Sequence, residues 1–333
     1  MSEQPVVVIQ GAATARQVPG IGIIADEAEL RFADSPESLA EALSGAAVLL
    51  GWNFSDANLR GVWPHAGDLK WIHWTGAGVD AVLFPELTHS DVVLTNSRGI
   101  FDRAMAEYVL GLILAFAKHF PETTRHQDQR RWEHRLSELV TGAKVLIVGV
   151  GSIGREIAGL LSGVGLQVQG VGRRARVADA DFGEIHGQED LNALLPEADY
   201  VVIVVPLTAE SRGMFGAEQF AVMKPTARII NVARGAVVDE GALAEALRAG
   251  RIAGAALDVT TVEPLPGDSP LWAMPQVIVS PHMSGDYVGY QEAVVSAFID
   301  NFRRFQMDEP LLNVVDKTSG FVLSDDDQKK RCP

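Results

Sequence analysis

Lys144-Val-Leu-Ile-Val-Gly149-Val-Gly151-Ser-Ile-Gly154-Arg-Glu-Ile-Ala158 is the stretch on which the reading of this chain turns. An apolar, β-branched run ends at the first glycine, and a helix-forming segment opens inside the motif. With 32 glycines in the chain, the G-x-G-x-x-G spacing alone says little, and the strand-to-helix setting carries the weight. In that setting Gly149 permits the tight turn, Gly151 lets the backbone approach a pyrophosphate, and Gly154 lets helix and strand pack closely. The N–H groups of the first helical turn, at Ser152 and Ile153, and the positive end of the helix dipole then receive the phosphates. The plain alternative is a tight turn that binds nothing. The context favours dinucleotide binding.

On both sides of this loop, short β-branched runs alternate with helix-like stretches. Residues 6–9, 47–50, 70–73 and 92–95 read as strands, with 36–43 a helix and 101–120 a long helix stopped by Pro121. Further strands follow at 144–148, 167–171, 200–205, 228–232, 254–258 and 277–280, separated by helices such as 153–161 and 240–249. Continuous apolar strands alternating with helices indicate parallel sheets covered on both faces, an α/β, doubly wound architecture. The last segment, 317–333, is polar, carries Asp325–Asp327 in a row, and is expected to fray.

A length of 333 residues suggests about two domains. A chain 47% apolar and 21% charged has ample material for a core. A net charge of −15 argues against nucleic acid or an anionic membrane as partner, since both attract positive surfaces. The single cysteine, Cys332, excludes an internal disulfide framework and a multi-cysteine zinc site, and no His/Asp/Glu spacing recommends a metal. The opening MSEQPVVVIQ has no basic region before a long apolar run, so no secretion leader is expected. The apolar stretch 104–117 contains Glu107 and falls short of the roughly 20 residues that span a bilayer. These features together predict a cytoplasmic protein.

In open α/β sheets, ligands bind outside the carboxyl ends of the strands. Three later strands end in chemically capable side chains: Arg234 after 229–233, Asp258 and Glu263 after 254–257, and His282 after 277–281. Hydride transfer to a ketone needs a proton donor for the developing alkoxide, and a histidine suits this near neutral pH. A carboxylate bonded to the imidazole holds the ring and favours its protonated form. An arginine grips a carboxylate through paired, charge-assisted bonds and polarises the carbonyl beside it. Any one of these residues could be an ordinary surface ion pair. All three types on one inferred rim argue otherwise.

Gly149–Gly154, Asn231-Val-Ala-Arg-Gly235, Asp258-Val-Thr-Thr-Val-Glu-Pro-Leu-Pro266 and Ser280-Pro-His-Met-Ser-Gly285 resemble, in order, the signature segments of NAD(P)-dependent D-isomer-specific 2-hydroxyacid dehydrogenases. The resemblance covers the chain up to about residue 315. It implies that Arg234 anchors substrate, that His282 is the acid/base and that Glu263 pairs with it. It implies cofactor contacts from Pro206, Ala233, Asp258 and Gly285, with Asp258 at the nicotinamide end. It further implies a Rossmann cofactor domain at 100–288, inserted into a flavodoxin-like substrate domain of 1–99 and 289–316, with the active site in the cleft. Thr75-Gly-Ala-Gly-Val-Asp80 is similar to the family loop whose backbone N–H groups, here at Ala77 and Gly78, bind the substrate carboxylate. Read without the family, it is simply a turn. The chain departs from the pattern at Asp102, where many members have Thr.

Two further expectations follow. An NAD-binding loop carries Asp or Glu about 20 residues beyond the glycine motif. Here Leu166-Gln-Val-Gln-Gly-Val-Gly172 is followed by Arg173-Arg174, which are placed to receive a 2′-phosphate, so NADP(H) is favoured over NAD(H). The alternative is that Asp179 or Asp181 folds back to bind NAD. The apolar helix 101–120 calls for burial on all sides, and with the resemblance this predicts a homodimer. The leading function is reduction of a small 2-keto acid such as glyoxylate or hydroxypyruvate. The alternatives are 3-phosphoglycerate dehydrogenase, whose longer versions carry a regulatory domain not expected here, and a non-catalytic dinucleotide-sensing scaffold. The remaining histidines, including His73, His119 and His126, read as incidental, and Arg125, Arg130, Arg131 and Arg135 as the solvated face of a helix.

Overall fold

The computed structural model describes residues 4–323. The chain forms two compact units: one combines the chain up to Phe101 with the chain from Tyr287 onward, and the other runs Asp102–Asp286.

The first unit is built on strands β1 (Val6–Gln10), β2 (Glu29–Ala33), β3 (Val48–Gly51), β4 (Trp71–Trp74) and β5 (Val93–Asn96). All are parallel, in the order β2-β1-β3-β4-β5, which is the flavodoxin-like arrangement. One face packs Leu49, Ile72 and Trp74 under the helix Pro36–Ala42, and the other packs Val7, Ile9, Leu50 and Trp71 against Phe298 and Phe302 of the helix Tyr290–Gln306. β2 escapes a sequence reading because it is a short edge strand with only Ala33 buried.

The second unit carries β6 (Lys144–Val148), β7 (Gln167–Val171), β8 (Arg176–Asp179), β9 (Gly183–His186), β10 (Tyr200–Ile203), β11 (Arg228–Asn231), β12 (Gly254–Leu257) and β13 (Val277–Val279). Their order is β13-β12-β11-β10-β6-β7-β9-β8. Seven are parallel, and β8 closes one edge antiparallel to β9. This hairpin is a correction to an all-parallel expectation. Its residues are mostly exposed, so no apolar run announces it. The carboxyl ends of β6, β10, β11, β12 and β13 stand side by side and form one rim.

Three other expectations change. The long helix spans Asp102–Ala117, and a second helix opens at Phe120 with Pro121 in its first turn, where a missing N–H costs nothing. That second helix ends at Asp128, so Arg125 lies on it while Arg130, Arg131 and Arg135 lie beyond it. The tail does not fray at Lys317: its ammonium donates to the carbonyls of Leu87, Ser90 and Val92, and Val315 N–H bonds Leu94. Cys332 and the Asp325–Asp327 run lie outside the described residues.

Candidate active site

The glycine loop has the geometry a dinucleotide needs. Gly149 adopts φ 119°, and a Cβ there would lie 2.7 Å from the carbonyl of Val204. A Cβ on Gly154 would lie 2.0 Å from the Gly149 oxygen, so helix and turn meet only through glycine. Gly151 caps the helix Ser152–Gly163 with no side-chain hydrogen bond to its first turn, and nothing lies within 4 Å of where its Cβ would be. The uncapped N–H groups at Ser152 and Ile153 and the space beside Gly151 fit a bound pyrophosphate. Pro206 stands exposed at the end of the neighbouring β10, its carbonyl accepting from Ser211 Oγ at 2.7 Å.

Arg173 and Arg174 are exposed in the loop after β7. Asp179 and Asp181 are engaged elsewhere than with Arg173 and Arg174. Both are bound to Arg155, on the glycine-loop helix, at 2.7 and 2.5 Å. The Arg155 hydrogen bonds hold the nearly buried Asp179 carboxyl down at about 2.

Further along the rim, Asn231 is fully buried and clamps the turn after β11: its Oδ1 accepts from Ala233 N–H and its Nδ2 donates to the Arg234 carbonyl, both at 3.0 Å. This presents the half-buried Arg234. Gly235 follows because a Cβ there would sit 1.9 Å from the Thr260 carbonyl carbon, so the turn lies directly on the loop that carries Glu263. One Glu263 oxygen accepts from Thr260 N–H at 3.1 Å, and the other meets His282 Nδ1 at 2.8 Å. Partial burial pushes the Glu263 carboxyl up, but the bond and charge of His282, the Thr260 N–H and the charge of Arg234 outweigh it, and the group lies below its ordinary value.

His282 itself takes a left-handed φ of 53°. Asp258, buried at the end of β12, holds this loop: its carbonyl accepts from His282 N–H at 2.7 Å, and its carboxylate accepts from Ser280 Oγ, Met283 N–H and Ser284 N–H at 2.7, 3.0 and 2.8 Å. The contact of Asp258 with a nicotinamide remains an expectation beside these bonds. A buried carboxylate needs donors, and this turn supplies three of them. Gly285 is half-buried at the end of the same loop.

Ala77 and Gly78 lie in the first unit, just past β4, both half-buried. Asn96 Nδ2 donates to the Ala77 carbonyl at 2.6 Å, and Ser97 N–H bonds Gly76, which orients the turn. Among the described residues, neither the Ala77 nor the Gly78 N–H donates to a backbone acceptor. No group of three or more His, Cys, Asp or Glu there could hold a metal ion, and no helix there is long and apolar enough to cross a membrane. The sequence reading missed Arg155 and the clamping role of Asn231. Only Asn231, next to the Arg-Gly pair at a strand end, carries a local signal.

Fold and rim define a protein of the Rossmann dinucleotide-binding class. The chain belongs to the D-isomer specific 2-hydroxyacid dehydrogenase family, whose NAD binding domain matches residues 110–284. It is 31% identical over 291 residues to a D-3-phosphoglycerate dehydrogenase of Methanocaldococcus jannaschii, covering 87% of this chain and 55% of that one. It is 33% identical over 264 residues to a glyoxylate reductase of Korarchaeum cryptofilum, covering 77% and 79%. The chain spans about half the length of the phosphoglycerate dehydrogenases it matches. A D-isomer specific 2-hydroxyacid dehydrogenase from Xanthobacter autotrophicus Py2, solved with NADPH and MES, superposes with a TM-score of 0.79 at 33% identity, covering 96% of this chain and 100% of that one.

Proposed function

We propose that the protein reduces a small 2-keto acid to its D-2-hydroxy acid with NADPH, with glyoxylate or hydroxypyruvate as substrate. The observation that carries this reading is the 2.8 Å contact between His282 Nδ1 and Glu263, with Arg234 close enough to influence Glu263, on the rim that holds the glycine loop. A reduced nicotinamide supplies the hydride when bound. Glu263 engages Nδ1 of His282, so Nε2 is the atom that hands a proton to the alkoxide oxygen and takes it back in the oxidative direction. Arg234 grips the substrate carboxylate and polarises the adjacent carbonyl. The Ala77 and Gly78 N–H groups are the further donors this reading assigns to the carboxylate.

The preference for NADPH over NADH is supported by the exposed Arg173 and Arg174 in the loop after β7 and by the engagement of Asp179 and Asp181 with Arg155. The protein works as a cytoplasmic homodimer. A second reading, oxidation of 3-phosphoglycerate, is favoured by the likeness to the M. jannaschii protein over 87% of this chain. Consumption of NADPH and NADH with glyoxylate, hydroxypyruvate, pyruvate and 3-phosphohydroxypyruvate separates the two. Turnover restricted to the phosphorylated acid would replace the first reading by the second, and no turnover with any keto acid would remove both.

A further inference from the structure

The turn after β4 is held from the end of β5 at two consecutive peptides. Ser97 N–H donates to the Gly76 carbonyl at 3.3 Å, and Asn96 Nδ2 donates to the Ala77 carbonyl at 2.6 Å. Both peptides are trans, and in a planar trans peptide the N–H points opposite to the C=O. Fixing the Gly76 carbonyl therefore aims Ala77 N–H away from the end of β5. Fixing the Ala77 carbonyl aims Gly78 N–H away from it as well. These are the two donors assigned above to the substrate carboxylate.

The clamp is itself held. Asn96 is 4% exposed, and its Oδ1 accepts from Arg98 N–H at 3.3 Å, which leaves Nδ2 turned to Ala77. Ser97 is fully buried; its Oγ donates to the Trp74 carbonyl and meets His73 Nε2, each at 3.4 Å. The turn is also tight, since a Cβ on Gly76 would lie 3.1 Å from the Gly78 carbonyl oxygen and 3.2 Å from Phe54 Cβ.

We propose that Asn96 is a positioning residue for substrate binding: together with Ser97 N–H, its amide aims the Ala77 and Gly78 N–H groups as a pair at one carboxylate. This rests on the assignment of those two N–H groups given above. Asn96 touches no reacting atom; it sets the direction of the donors that grip the acid. An ionised aspartate of the same shape cannot do this, because it has no proton to give the Ala77 carbonyl.

The test is binding of oxamate, a carboxylate shaped like a 2-keto acid that takes up no hydride, to the NADPH-loaded wild type, Asn96→Ala and Asn96→Asp. With alanine and glycine nitrogens labelled, oxamate is expected to move the Ala77 and Gly78 amide proton resonances of the wild type downfield. In both variants these shifts should shrink. Oxamate Kd and the KM of the keto acid should rise about tenfold, the worth of one misaimed bond to a carboxylate. Because the reacting groups are untouched, kcat should fall no more than about threefold and NADPH affinity should stay within about twofold. Unchanged oxamate affinity in either variant, or an equal loss of NADPH affinity, would overturn the proposal. Should Asn96→Ala not fold, Asn96→Asp, which keeps the shape and the acceptor for Arg98 N–H, decides it by the same measurements. Wild-type Ala77 and Gly78 amides unmoved by oxamate would remove the reading of the turn itself. Amides that move in the wild type, beside normal oxamate binding in the variants, would remove only the role of Asn96.

Discussion

His282 occupies a backbone conformation that costs a non-glycine residue on the order of 1 kcal/mol, and Asp258 over-determines it from three sides. In the proposed reaction His282→Ala removes the proton donor without touching the glycine loop, so kcat is expected to fall about a hundred- to ten-thousandfold with cofactor affinity nearly unchanged. Stopped-flow turnover beside a binding titration checks this. Glu263→Gln keeps an acceptor for His282 but loses the charge, so it should fall between wild type and His282→Ala. A second residue-scale prediction concerns His73, which is buried in the first unit with Nδ1 2.9 Å from Thr95 Oγ1. Burial pushes its pKa down to about 3. The unfolded chain takes up this proton below about 6.5, the folded chain only near 3, so stability is full above 6.5 and declines as pH falls between the two. The cost is on the order of 3–5 kcal/mol by pH 3, before any solvent access relieves it. Thermal melts of wild type and His73→Gln across that range should show a flatter acid limb in the variant; parallel curves would contradict the assignment.

At the scale of elements, the proposed function gives cofactor choice to the loop after β7. The obvious conversion, Gly172→Asp, is not open to this fold without adjustment, since a Cβ there would lie 2.8 Å from Val150 Cγ2 and 3.2 Å from Ile185 Cγ2. Arg173→Ala/Arg174→Ala avoids that clash. Arg–phosphate bonds contribute roughly 1.5–3 kcal/mol each, so kcat/KM with NADPH should drop about ten- to a hundredfold while NADH is little affected. Equal losses with both cofactors would mean that the arginines do not read the 2′-phosphate. Asp179→Asn, by contrast, should loosen the β8–β9 hairpin from the glycine-loop helix, because Arg155 binds Asp179 with two hydrogen bonds of 2.8 and 2.7 Å. The hairpin was illegible from sequence because its strands are short and mostly exposed. The glycine loop was legible because backbone chemistry there admits only glycine, and such a demand shows in the letters themselves.

For the whole molecule, assembly is the open matter that one measurement answers. The helix Asp102–Ala117 buries Met105, Val109, Leu112, Ile113 and Phe116 within its own unit but leaves Leu110 and Leu114 half-buried. Beyond the following helix, an irregular segment exposes Trp132 by 103%, Leu136 by 86% and Leu139 by 81%. Large apolar side chains so fully in water are the kind that a second copy covers. Light scattering is expected to give twice 35.8 kDa at micromolar concentration, and Trp132→Glu with Leu136→Glu to give the monomer. A wild-type monomer would refute a stable dimer.

Motif and period determined the family, the alternating α/β architecture and the identities of Arg234, Glu263 and His282 as candidates, because each rests on local chemistry: a glycine where no Cβ fits, an apolar run where a strand is buried on both faces, a polar residue where that run stops. What only the tertiary structure decided is how residues distant in sequence answer one another. Asp258 anchors the His282 loop, Asp179 and Asp181 are bound by Arg155, and Lys317 is drawn onto three carbonyls instead of fraying. A buried charge takes whichever donors or acceptors the packed chain brings to it, and that pairing has no signature in the order of the residues.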